Sequence, residues 1–381
     1  MPLTRLDETL RHQIPTTFDH VGTSDPRFFN RYWFSCYDPT GSLTMIIGVG
    51  LYMNMNVFDG FVACQVPRDD GGSNQRNFRF SRALRPDIDR VGVGPLDIEV
   101  IEPFKKVRLT ASCSDHPIEM DLTWTGFLPP KEEDHHFSRV RGRVTQDYRR
   151  YTQVGRMDGA VTLDGTDYSV ENWWGGRDHS WGVRPQTAGP EPVTGEDGID
   201  VRAQHGSVFY WLPFSCSDFG GHVQVHSTGD GRQHYLDGVI GQSDGSETEV
   251  VAAEFEVDFW DDTRRWRQVR SQFTDTAGEV YEIETNQIHR DWAMIGTGYD
   301  WGWEDGGGLG VYRGQYYSET DTYDLSHPEN VVLPSGEVRV PGHREAPAVG
   351  TVNGQPLAGH QIVICSGRVP FLGLNDDVRP W

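Results

Sequence analysis

Apolar and polar residues alternate with a period of two along most of this 381-residue chain, a pattern that sends successive side chains to opposite faces of extended strands. Leu96, Ile98 and Val100 share one face, the run breaks at Glu102-Pro103, and it resumes with Val107 and Leu109. This spacing predicts a hairpin over 96–112. The same alternation runs through 45–55, 161–170, 206–214 and 279–288, with Asp164-Gly165 as a turn in the second of these. Helical periodicity is confined to a short segment from Thr4 to Arg11. The fold class is therefore all-β, with very little helix, and strands spaced this way build antiparallel barrels or sandwiches. Pro129-Pro130 and the charged run after it interrupt the alternation within 128–152. That break predicts two consecutive β-domains, 1–150 and 151–381. Two intervals rich in Pro and Gly read as loops: 185–200 as a mobile flap, and 325–358 as a surface wrap.

Charge narrows the partners. The chain has 34 Lys plus Arg against 56 Asp plus Glu, a formal charge of -22, which disfavours nucleic acid and anionic membrane surfaces. The N-terminus lacks a secretory apolar run and no segment reaches membrane-spanning length, so a cytoplasmic protein without membrane insertion is expected. The five cysteines show no C-x-x-C spacing and read as buried free thiols. With 44 glycines and 12 tryptophans, the composition suits strands and tight turns lining something apolar.

One stretch concentrates chemistry. "NWWGGRDHSWGVR", residues 172–184, sets Asp178 beside His179. On a strand His179 and Trp181 share one face, and Asp178 and Ser180 share the other. Which pair looks inward depends on how the chain leaves a bend at Gly175-Gly176. A structural alternative makes Arg177 and Asp178 an ion pair that ties a loop, with the tryptophans as core filler. In "GRQHYLDGVI" (231–240), Tyr235 and Asp237 also share a face, either inward or on a polar edge strand. Trp301 and Trp303 line a pocket or fill the core. No G-x-G-x-x-G, Walker or G-x-S-x-G pattern is present, so a nucleotide cofactor and an elbow-type hydrolase are not indicated.

"RDHSWGVR", preceded by "DYRRYTQVGRMDGAVTLDGTDYSV" and joined to "FFNRYWFSCYDPTG" and "FRFSRAL", resembles the AttH-like, two-domain lipocalin-type proteins that include carotenoid 1,2-hydratase. The resemblance implies two consecutive calycin-like domains, no organic cofactor and a pocket for a hydrophobic small molecule. It also implies a catalytic His-x-Trp pair at His179 and Trp181, and a Tyr-x-Asp pair at Tyr235 and Asp237.

Adding water to an alkene needs a strong acid and a surrounding that tolerates a carbocation. Asp237, or else Asp178, is the expected acid, kept neutral by an apolar site. Trp181, Trp174 and Tyr235 are expected to face the cation, and His179 to activate water. Trp174, Arg177, Trp301 and Trp303 are the expected substrate-binding residues. Arg177 would meet an anionic or carbonyl group if it faces the pocket. The function these residues imply is a cofactor-independent hydratase, or a related lyase or isomerase, for an isoprenoid, steroid-like or phenolic compound. A pericyclase or cyclase and a non-catalytic carrier are the alternatives. In the expected geometry, the His179–Trp181 face meets Tyr235 and Asp237 across one barrel.

Overall fold

The computed structural model describes residues 3–112, 115–140, 142–189 and 205–376. The chain opens with β1 (Phe28–Tyr37), β2 (Thr44–Tyr52), β3 (Val57–Pro67), β4 (Ser73–Ala83), β5 (Gly92–Val93) and β6 (Leu96–Glu102). There follow β7 (Lys106–Ser112), β8 (Ile118–Gly126), β9 (Lys131–Glu132), β10 (His136–Val140), β11 (Arg143–Leu163) and β12 (Thr166–Val183). Next come β13 (Ser207–Ser215), β14 (Phe219–Thr228), β15 (Gln233–Gln242), β16 (Glu247–Phe259), β17 (Trp266–Asp275), β18 (Val280–Gln287) and β19 (Trp292–Ala293). The last are β20 (Tyr316–Asp324), β21 (Val331–Val332), β22 (Val338–Arg339), β23 (Arg344–Val352) and β24 (Gln355–Ser366). The expected N-terminal helix is a single 3-10 turn, Arg5–Glu8, capped by Thr4.

Two sheets result. The first runs β22-β21-β20-β4-β3-β2-β1-β12-β11-β8-β7-β6-β5, with β9 and β10 attached to β11. It curls on itself: a Cβ at Gly60 on β3 would meet Val93 and Leu96 from the opposite end. The enclosed face holds Phe34, Ile47, Val62, Phe78, Trp124 and Met157. The second sheet runs β18-β17-β16-β15-β14-β13-β24-β23 and closes through β18–β23 into an eight-stranded barrel around Tyr210, Trp266, Val269 and Phe273.

The outer face of the first sheet packs on the barrel. Trp33, Ile46 and Phe61 meet Trp211, Met294 and Ile362 there, and the Trp33 and Trp211 rings cross edge-on at 5.7 Å. Strand β1 is thus buried on both faces, with Phe34 and Cys36 in the first core and Trp33, Ser35 and Tyr37 against the barrel. Burying a side chain such as Phe34 or Phe61 contributes roughly 1.5–3 kcal/mol.

The hairpin over 96–112 forms as β6 and β7, and Asp164-Gly165 turns β11 into β12. Both turn residues have positive φ, 50° and 80°, as a tight two-residue hairpin requires. The boundary between 1–150 and 151–381 requires correction. Residue 150 lies inside β11, which pairs with β8 and β12 of the first sheet along its length. The Pro129-Pro130 break ends one strand but not the sheet. The two units also interleave: β20–β22, from after the first seven barrel-region strands, complete the first sheet, and β23–β24 then close the barrel. Part of the expected surface wrap, 344–358, is therefore barrel wall. Of the expected flap at 185–200, residues 190–200 lie outside the described residues. Cys36, Cys64, Cys216 and Cys365 are free and buried.

One phenol bonds from the first sheet to two carbonyls and an amide of the barrel. Tyr37 Oη accepts from the Gly359 amide at 2.8 Å and lies 2.9 Å from the carbonyls of Ala348 and Gly359, to which its proton can be donated. Tyr37→Phe strands these buried groups, at a cost of about 1–3 kcal/mol. Chemical denaturation is expected to show a loss of that size with an unchanged m-value.

Candidate functional site

Strand β12 carries the 172–184 motif straight through, without the bend expected at Gly175-Gly176. The glycines instead make room for indoles: a Cβ on Gly175 would lie 3.0 Å from Trp124, and one on Gly176 would collide with Trp174. Period-two alternation then divides the motif between two compartments. Trp173, Arg177, His179 and Trp181 face the enclosed side of the first sheet, while Trp174 and Asp178 face the barrel.

On the enclosed side, β12 and its neighbours wall a cavity of about 600 Å³. His179 and Trp181 line it with Asn30 and Tyr32 of β1, Tyr151 of β11, Glu132 of β9 and Arg177. Val100, Pro103 and Phe104, from the β6–β7 hairpin, and Pro130 form its rim. Register explains the cluster, because residues directly opposite on paired strands share a face. His179 is opposite Tyr32 on β1 and Tyr151 on β11. Its ring centroid lies 4.4 Å from that of Tyr32, 5.3 Å from Tyr151 and 5.1 Å from Trp181.

Two features set the chemistry of this wall. His179 Nε2 lies 2.7 Å from Asn30 Oδ1, so Nε2–H donates to the amide oxygen and Nδ1 keeps a lone pair. Burial, and then the Arg177 charge, push the imidazole down to about 4, which leaves it neutral at pH 7. Arg177 is 2% exposed. Its Nε and Nη2 donate to Gln153 Oε1 at 3.1 and 2.9 Å, and its guanidinium lies over Trp124 and Tyr151. Among the described residues it forms no ion pair, so the Arg177–Asp178 pair considered from the sequence is not made: the two side chains leave opposite faces of the sheet. Burial raises the Tyr151 phenol to about 12, keeping it a neutral donor. The cavity therefore presents a fixed cation, a neutral imidazole and neutral phenols, with the Glu132 carboxylate, paired to Arg149, also in its lining.

Asp178 enters a different environment. Burial raises it to about 6, against the opposing charges of Arg150, Arg31 and Arg184 and with support from Glu133. Glu133 is 1% exposed. It accepts from Arg150 Nη2 at 2.6 Å and from Thr152 Oγ1 at 2.6 Å, and pairs with His136 at 3.0 Å. Burial alone would raise this carboxyl, but Arg150 and His136 hold it below the usual range. The His136 ring stacks on Tyr148 at 4.5 Å and on Tyr235 at 5.3 Å.

Tyr235 and Asp237 do share a face of β15, but it is the outer face of the barrel, since Leu236 between them packs into the barrel core. Asp237 accepts from the Asp134 amide at 3.3 Å and approaches His222 at 3.6 Å. Tyr235 neighbours Tyr148 through His136, and Tyr148 points away from Tyr151 because the two are three residues apart on an extended strand. The expected meeting of His179 and Trp181 with Tyr235 and Asp237 thus does not occur; a sheet separates the pairs.

Three expected binding residues also lie elsewhere. Trp174 is 1% exposed and stacks on Tyr37 at 5.3 Å between the sheets. Trp303 is packed beneath Arg313 at 4.0 Å. Trp301 sits in a turn with φ 58° and is 37% exposed. Arg177 alone of that set reaches the cavity. Sequence reasoning missed Asn30, Tyr32, Tyr151 and Gln153, which reach the site through strand register. A second cavity, of about 360 Å³, lies on the inter-sheet side, with Tyr148, Phe209, His226, His234 and His343 in its lining.

Comparison with known proteins places this architecture. The profile of a family of unknown function, DUF8625, matches residues 3–339, and the chain belongs to that family. No curated protein matches the chain. The structure of an AttH-type protein from Nitrosomonas europaea is similar over 90% of this chain and 94% of that one, at 13% identity and a TM-score of 0.52. That likeness establishes a shared AttH-like, lipocalin-type fold. Kievitone hydratase from Nectria haematococca is similar over 88% of each chain, at 10% identity and a TM-score of 0.40. CghA, solved with Sch210972, covers 89% of this chain and 88% of its own, at 9% identity and a TM-score of 0.45. These two likenesses are too distant to carry an argument about chemistry.

Truncating Glu133 tests the inter-sheet network without touching the cavity. Glu133→Leu leaves the Arg150 guanidinium buried without its carboxylate, at a cost of about 3–5 kcal/mol. Thermal unfolding is expected to show a much larger loss than for Tyr37→Phe.

Proposed function

We propose that this member of the DUF8625 family is a hydro-lyase or isomerase for a hydrophobic small molecule in which a C=C bond is conjugated to a carbonyl oxygen. The observation that carries this reading is the buried Arg177 guanidinium beside a neutral His179 in an aromatic-walled cavity. A fixed cation in a low-dielectric wall repels a developing carbocation and stabilises a developing oxyanion. The geometry therefore favours base chemistry over protonation of an isolated alkene by Asp237 or Asp178, neither of which lines this cavity.

Hydration follows directly. Nδ1 of His179 takes a proton from water as the water oxygen bonds to the β-carbon. The π electrons move to the substrate oxygen, where Arg177 and the Tyr151 hydroxyl hold the negative charge. The imidazolium then returns its proton to the α-carbon, and the C=O re-forms. Without water, proton removal at one carbon and return at another gives isomerisation. Tyr32, Trp181 and Phe104 exclude solvent and position an aromatic or isoprenoid body. A partially hydrophobic ligand suits a cavity of this size.

A second reading, acid chemistry at the inter-sheet cavity, has one observation in its favour: Asp178, raised to about 6, interacts with Tyr148, which lines that cavity. The variants separate the two. With aryl enones as probes, and loss of enone absorbance as the readout, His179→Ala is expected to cut kcat/KM by about 100-fold or more. Asp178→Asn is expected to stay near wild type. The opposite result replaces the first reading with the second. Probe binding that is unaltered in both variants, with no turnover in wild type, identifies a carrier.

The pH profile adds an independent check. Protonation of His179 removes the base, so kcat/KM is expected to rise through an acid limb near pH 4 and level off above it. Arg177→Gln removes the like charge, which moves the limb upward toward 6.5 while burial still holds it below that value. The same substitution lowers the plateau, because the oxyanion loses its cation.

A further inference from the structure

The β6–β7 hairpin that rims the cavity has an unusual tip. Lys105 N donates to Glu102 O at 3.1 Å, closing a turn over Glu102-Pro103-Phe104-Lys105. Phe104 occupies the third position with φ 64°, where a turn led by proline normally carries glycine or asparagine. An aromatic side chain held in the left-handed region is disfavoured by the backbone, and such positions gather where a side chain is needed for function. The Phe104 carbonyl is also clamped by Gln153 Nε2 at 2.7 Å, from the same amide that holds Arg177. The tip is thus a fixed projection.

What it projects is apolar. Val100 is 43%, Ile101 50% and Phe104 49% exposed. The chain contains three lysines in 381 residues, Lys105, Lys106 and Lys131. Two stand on this tip; the third, opposite Thr152 on β11, faces the barrel side of the sheet. Here Lys105 pairs with Glu102 at 2.7 Å and Arg108 with Asp121 at 2.7 Å, while Lys106 forms no ion pair among the described residues, so the strong negative charge of the whole chain is not carried here. Apolar side chains that enter an acyl boundary, with long cationic side chains that reach back to headgroups, are the chemistry of an interfacial anchor. Among the described residues no helix is long and apolar enough to cross a membrane.

We propose that the β6–β7 tip docks on a lipid bilayer surface and opens the cavity toward it, so that a lipophilic substrate passes between membrane and cavity without crossing water. The docking shares the cavity with the proposed reaction but does not depend on turnover. It also qualifies the exclusion of membrane surfaces drawn from net charge, which averages over a chain that places two of its three lysines on this tip.

Co-sedimentation with vesicles of phosphatidylcholine, with and without a minor fraction of phosphatidylglycerol, tests it in the absence of substrate. Wild type is expected to sediment with both and more strongly with the anionic mixture. Ile101→Glu is expected to weaken binding at least about tenfold, because a charge replaces the deepest apolar group. Phe104→Gly relieves the backbone while deleting the ring, so it is expected to weaken binding with no loss of melting temperature. Lys105→Gln with Lys106→Gln is expected to remove the preference for the anionic vesicles. Wild type remaining in the supernatant of both mixtures, or Ile101→Glu and Phe104→Gly binding as wild type does, overturns the proposal. Ile101 does not line the cavity, so its variant should turn over a soluble enone normally. A failure of docking is thereby distinguished from a failure of the proposed chemistry.

Discussion

Strand β1 and the central segments of β11 (152–157) and β12 (173–180) are enclosed on both faces, and the organisation of the molecule depends on that constraint. A strand with one face in water can tolerate a shift in pairing more easily than a strand sandwiched between two packed compartments. In β12, a slip by one residue would send Asp178 into the aromatic cavity and Arg177 toward Arg150. The register is pinned on both sides. Gln153, opposite Arg177, donates to the carbonyls of Phe104 and Leu128 and accepts from the guanidinium. On the other face, Trp174 stacks on Tyr37, which is itself bonded to the barrel.

This arrangement shows what could be read from the sequence and what could not. The β class, the hairpin at 96–112, the turn at Asp164-Gly165 and the division of 178–181 into two faces all follow from alternation, a local property. The identity of each face's partner is not local. Asn30, Tyr32, Tyr151 and Gln153 reach His179 and Arg177 through pairings with β1 and β11, and no spacing within 172–184 encodes them. The same gap explains the misplaced Tyr235 and Asp237. Their shared face was legible, but not the fact that it lies outside the barrel. Glu133 and His136 fall in a charged run that resembles a solvated linker, yet both are buried because Arg150 and Thr152 arrive from β11. The Pro129-Pro130 break was a sound signal for the end of a strand and a poor one for the end of a sheet.

Two arginines, one half-buried and one buried, illustrate how the chain assigns charge to its compartments. Arg150 is matched by the Glu133 carboxylate, so the inter-sheet network is locally balanced and its task is cohesion. Arg177 is met by an amide, which accepts from its Nε and Nη2 without cancelling its charge. An uncancelled guanidinium is expensive to bury, and Trp124 and Tyr151 offset part of that cost through their ring faces. The positive potential remains available inside the cavity, in a protein whose formal charge of -22 would suggest the reverse.

The return of β20 to the first sheet carries a consequence of another kind. Strand β4 pairs with β20, and Arg79 bonds to Glu319 across 240 residues of chain. During synthesis at roughly 5–20 residues per second, the edge of β4 stays unpaired for tens of seconds while the intervening barrel strands emerge. The nascent first sheet thus waits with an open, apolar-backed edge, and the barrel strands must form beside it without capturing it. A chain ending before residue 316 lacks β20 and therefore leaves that edge of β4 without its partner.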